Sequence, residues 1–177
     1  MGILKRALGL AAATATLMAL AAAPGFSAGS PSMNLSFFNG GGGNAHWAAN
    51  QSVVELTLSG ASSYAGFDLH HVATALPAEE PTFSAPSYQA GSPRWVIELS
   101  SGSYLFGYPD HTWNVEACSG IRGGAPMTYD QAVAALSADG CTGDVTDVFV
   151  VADASQPVPA VDNVSDVQYD GVTLTAQ

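Results

Sequence analysis

Lysine is missing from this chain beyond Lys5, and beyond Arg6 the only cations are Arg94 and Arg122. Against them stand 15 Asp and Glu, the first of them Glu55. Without its first 28 residues the chain would carry two arginines against those 15 acids, a formal charge of −13. Such a surface repels a phosphate backbone, which argues against nucleic acid as a partner. Anionic membrane surfaces are disfavoured for the same reason. The ordinary use of this much negative charge is solubility outside the cell.

Long apolar runs are equally scarce. The one candidate, residues 7–23, follows Lys5 and Arg6 and is rich in Ala and Leu, and small residues surround Pro24 to Gly29. Together these read as a secretory signal peptide over residues 1–28, with cleavage expected near Ser27 to Gly29. The run is too short and too Ala-rich for a bilayer crossing, and no second run follows it. The expectation is a secreted, extracellular chain with no membrane span.

Histidine and cysteine are few. His70 and His71 are adjacent, so on a strand they point to opposite faces and cannot share one ion. No His-x-x-x-His pair is present, which leaves no zinc site to argue for. The two cysteines, Cys118 and Cys141, most simply form one disulfide in an exported chain. Gly-x-Ser-x-Gly, the signature of a serine hydrolase elbow, is absent.

What remains is a strand-rich sequence. Residues 29–52 read as a flexible N-terminal segment with one short strand near Leu35 to Phe38 and a loop at the glycines of residues 40–43. Residues 53–177 read as one sandwich domain. Val54, Leu56 and Leu58 alternate with Val53, Glu55 and Thr57, a half-buried strand. Residues 67–72 form a second candidate strand. Residues 94–108 read as a hairpin with a two-residue turn at Ser101-Gly102. That turn would set Leu99 opposite Tyr104, Ile97 opposite Phe106 and Trp95 opposite Tyr108, all six on one face. Thr128-Tyr129-Asp130-Gln131 matches a capping box, so one helix is expected from there to Asp139-Gly140. Residues 145–152 are almost continuously apolar, as in a central strand. Residues 164–175 suggest a closing hairpin about Asp170-Gly171.

About nine short strands and one helix predict an all-β fold, an antiparallel jelly-roll-like β-sandwich. The succession Gly91-Ser92-Pro93-Arg94-Trp95, Tyr104-Leu105-Phe106-Gly107-Tyr108, a helix, residues 147–153 and a closing hairpin resembles secreted bacterial jelly-roll domains of the carbohydrate-binding-module type. The likeness spans roughly residues 53–175, lies in strand order and character, and carries over no ligand residue. It implies a carbohydrate or other extracellular polymer as partner.

The candidate ligand-binding residues follow from chemistry, since sugars stack on aromatic rings and hydrogen-bond to polar neighbours. Trp113 follows Tyr108, Asp110 and His111 at an expected loop, and Trp47 lies among Asn44 and His46. Trp95 is expected in the core. Arg94 and Glu98 share one face of a strand and could hold a polar ligand, and Arg122 has the same option. Asp153, Asp162 and Asp166 are candidate ligands for a structural calcium, although no defined calcium loop is matched. A hydrolase or lyase would need two facing carboxylates, with Glu55, Glu98 and Glu116 available on strands. The sequence therefore favours a non-catalytic binding domain for carbohydrate or a cell-envelope polymer. Its alternatives are a polysaccharide hydrolase or lyase on the same fold and a structural or protein-interaction surface protein.

Overall fold

A computed structural model describes residues 34–49, 52–120 and 125–174. The expected signal peptide and Arg122 lie outside the described residues. The strands are β1 (Asn34–Gly40), β2 (Asn44–Trp47), β3 (Val54–Leu58), β4 (Tyr64–His70), β5 (Thr82–Ser84), β6 (Arg94–Leu99), β7 (Tyr104–Gly107), β8 (Trp113–Glu116), β9 (Val145–Asp153), β10 (Ala160–Tyr169) and β11 (Val172–Thr173), with one helix, α1 (Tyr129–Ala138). All pairings are antiparallel. One sheet has the order β1-β4-β9-β6-β7-β8; the other runs β11-β10-β3-β2, with β5 also paired to β10. Their inner faces close on one core, and the described residues form an all-β sandwich with a single short helix. Among the described residues no helix is long and apolar enough to cross a membrane.

The alternating pattern of β3 buries Val54, Leu56 and Leu58 against this core. The apolar run of β9 sits between β4 and β6 and buries Val148, Val150 and Ala152 inward. The closing hairpin turns on Asp170 and Gly171, both at positive φ (50° and 73°), as a two-residue primed turn requires. The capping box is complete: Thr128 Oγ1 accepts from Gln131 N, and Gln131 Oε1 accepts from Thr128 N. Cys118 and Cys141 are disulfide-bonded, tying the end of β8 to the chain just past α1.

Two expectations need correction. The sandwich begins at Asn34 rather than at residue 53, because β1 pairs with β4 over seven positions and β2 pairs with β3. The glycine run between them is a tight turn, not a flexible loop. Gly43 N donates to Gly40 O, Ser63 Oγ donates to Gly41 O, and Ser59 Oγ donates to Gly42 O. Gly41 and Gly42 have positive φ, and a Cβ on Gly41 would fall 2.1 Å from Ser62 O.

The second correction concerns the β6–β7 hairpin. Glu98 opposes Tyr104, Val96 opposes Phe106 and Trp95 opposes Gly107, one residue away from the expected register. A three-residue loop, Ser100 to Gly102, replaces the two-residue turn: Leu99 N donates to Ser103 O, and Gly102 has φ of 79°. The cause is Ser103, fully buried beside the disulfide. Its hydroxyl accepts from Cys118 N at 3.0 Å and donates to Cys141 O at 2.9 Å. Drawing that polar side chain inward turns Leu105 inward and Tyr104 and Phe106 outward, because a one-residue slip inverts a strand's faces.

Candidate aromatic binding face

The register of β7 builds the most distinctive surface of the molecule. Tyr104, Phe106 and, just past the strand, Tyr108 follow one another at every second residue and lie partly exposed. Tyr104 and Phe106 lie 6.2 Å apart with only 9° between their planes. Tyr88 approaches Tyr108 at 6.0 Å and 41°. From Tyr104 to Tyr108 the strip runs about 13 Å along the strand.

Its cross-strand neighbours are polar except at Val96. Cross-strand register places Val96 and Asn114 beside Phe106, and Glu98 and Glu116 beside Tyr104. Tyr104 Oη donates to Glu98 Oε1 at 3.4 Å, and Asn114 Nδ2 donates to Tyr108 Oη at 3.3 Å. The charge of Glu98 is the main reason the Tyr104 hydroxyl is held above its usual range. Tyr88 is raised as well, mainly by burial. The Arg94 guanidinium sits 5.9 Å from the Phe106 ring centroid and donates to Asp153 Oδ2 at 2.6 Å. Burial alone would raise Asp153, but its hydrogen bonds from Arg94 and Ser155 outweigh that and hold it below the usual carboxylate range. Farther across the sheet, burial and then Asp147 raise Asp68.

A groove of about 430 Å³ opens where the loop after Tyr108 meets β5 and β10. Pro109 and His111 line it on one side, Phe83 and Pro86 on another, and Asp166 and Gln168 on a third. His111 Nδ1 lies 3.4 Å from Glu80 Oε1. Asp110 holds the loop as an Asx turn, its Oδ1 accepting from Thr112 N and Thr112 Oγ1 at 3.2 and 2.6 Å.

The structure thus brings Arg94, Glu98 and Tyr108 to one face and puts His111 in the adjoining groove. Trp113 is corrected: it lies on β8 rather than in a loop, and its side chain is fully buried. Its indole packs edge-on to Tyr129 at 4.9 Å and beneath Gly107, where a Cβ would clash with the ring at 2.5 Å. No ring of Trp113 is available to stack on a ligand. Trp47 belongs to the other sheet, half-buried and edge-on to Phe37 at 6.1 Å, so the two tryptophans do not form one platform. Trp95 is core, as expected. The calcium candidates are not assembled. Asp153 pairs with Arg94, Asp166 lines the groove, and buried Asp162 accepts from Ser87 Oγ and Gln156 Nε2. Among the described residues no group of three or more His, Cys, Asp and Glu is placed to hold a metal ion.

The outward Tyr104 and Phe106 were missed as site residues because the assumed register buried them. The alternation Tyr104-Phe106-Tyr108 was nevertheless present in the sequence. Set against protein-family models, curated proteins and solved structures, the chain matches none.

Proposed function

We propose that this chain is a secreted, non-catalytic domain that binds a carbohydrate polymer on the outer face of its six-stranded sheet. The near-parallel Tyr104–Phe106 pair carries the proposal. Two partly exposed rings in nearly the same orientation offer apolar surface against which the C–H groups of sugar rings can pack. Asn114, Glu98 and Arg94 stand at the edge of those rings, where they can exchange hydrogen bonds with hydroxyl groups.

One observation favours a second reading, a polysaccharide hydrolase on the same face. Glu98 and Glu116 stand on either side of Tyr104, two strand spacings or about 9.6 Å apart at the backbone. Inverting glycosidases likewise set two carboxyl groups on either side of the sugar they cleave. Pull-down on insoluble glycans and a soluble polysaccharide array separate the readings. Binding is expected to retain the chain on at least one glycan with no new reducing ends. Release of reducing ends moves the assignment to the hydrolase, and no retention on any glycan overturns both.

A further inference from the structure

We infer that the binding face does not end at Tyr108 but turns over the loop of residues 108–112 into the groove beside β5, so that the ligand is an uncharged polysaccharide chain filling both. This rests on the carbohydrate reading of the aromatic strip. Two loops join the surfaces. Residues 85–88 form a turn, closed by Tyr88 N donating to Ala85 O, that carries Tyr88 on the strip side and Pro86 on the groove side. Residues 108–111 form another, closed by His111 N donating to Tyr108 O, that carries Tyr108 on the strip side and Pro109 and His111 in the groove.

The groove has the makings of a sugar subsite: Pro86 and Pro109 supply apolar surface, with side-chain hydroxyl, amide and carboxylate groups among them. His111 and Asp166, both lining it, hold positive φ of 62° and 51°, conformations that cost a non-glycine residue energy. His111 is also steadied from within, because Glu80 beside it accepts a hydrogen bond from the buried Trp113 indole. Among the described residues neither lysine nor arginine lines the groove, and Arg94 beside the strip is already paired with Asp153. Asp166 here and Glu98 and Glu116 on the strip would repel uronate or sulfate groups.

The test is affinity electrophoresis through hydroxyethyl cellulose and through polygalacturonate, with calorimetry on cello-oligosaccharides of two to six units. His111→Gly and Asp166→Gly remove the groove side chains while relaxing the backbone, and thermal melts confirm their folding. Expected are retardation by hydroxyethyl cellulose but not polygalacturonate, affinity that still rises beyond three sugars, and a several-fold loss in both glycine variants for six units but not for two. If Phe106→Ala abolishes retardation while both glycine variants bind six units like the parent, the groove is overturned and the strip stands. Preference for polygalacturonate overturns the uncharged class. Absence of binding to every probe overturns the strip reading and this inference together.

Discussion

The indole Nε1 of Trp113 donates to Glu80 Oε1 at 2.8 Å, and that oxygen lies 3.4 Å from His111 Nδ1. A fully buried side chain thus anchors a carboxylate that steadies an exposed histidine at the groove. Trp113→Ala is expected to cost about 3–5 kcal/mol, the usual range for deleting a buried aromatic. Trp113→Phe should cost less while leaving Glu80 without its donor. Urea unfolding measures both. Normal stability in Trp113→Ala would contradict the burial assigned to this ring.

The Cys118–Cys141 bridge closes a 23-residue separation, and Ser103 hydrogen-bonds to the backbone of both half-cystines. Reduction should lower unfolding free energy by about 3 kcal/mol on the chain-entropy account. Ser103→Ala would remove one donor from Cys141 C=O, which keeps the Ser101 hydroxyl, and the acceptor of Cys118 N–H, and should cost about 1 kcal/mol. Denaturant curves with and without reductant, on the parent and the variant, check both values.

Burial raises the ionisation of Tyr129 and Tyr169 far above the ordinary tyrosine range. Because the folded values exceed the unfolded ones, the stability they contribute is complete below about pH 10 and is lost as pH rises toward the folded values. Absorbance titration of phenolate should therefore show these two tyrosines ionising only as the fold opens at high pH. Six tyrosines titrating together in a still-folded chain would contradict it.

Asp153 and Asp68 should move in opposite directions in a carboxyl NMR titration. Asp153 lies below its unfolded value, so its contribution to stability is present above that value and lost as pH falls through the folded one. Asp68 lies above its unfolded value, so its contribution is present below that value and fades as pH rises through the folded one. Arg94→Gln should raise Asp153 toward or past the ordinary range while leaving Asp68 nearly unchanged.

Patterns confined to a few neighbouring residues were legible in the sequence. The capping box at Thr128, the Asp170-Gly171 turn and the alternation of β3 each depend on local chemistry, and each stands in the fold. So does the pairing of the only two cysteines. The hairpin register was not legible, because it depends on Ser103 meeting the backbone of Cys118 and Cys141, contacts 15 and 38 residues away. That slip of one residue also hid Tyr104 and Phe106 as site candidates. Trp113 looked like a loop residue beside Tyr108, Asp110 and His111, yet the small Gly107 opposite it lets the indole pack inward. The glycine run at residues 40–43 looked loose because Ser59 and Ser63, which hold it, come from a distant turn.

The central claim is that Tyr104 and Phe106 form the floor of a glycan site. Binding of the parent, Tyr104→Ala and Phe106→Ala to the best-retained polysaccharide, each variant first confirmed folded by its thermal melt, tests this most directly. Each truncation is expected to weaken binding at least tenfold, about 1.4 kcal/mol, with little change in melting temperature. Parent-like binding by both folded variants would contradict the account.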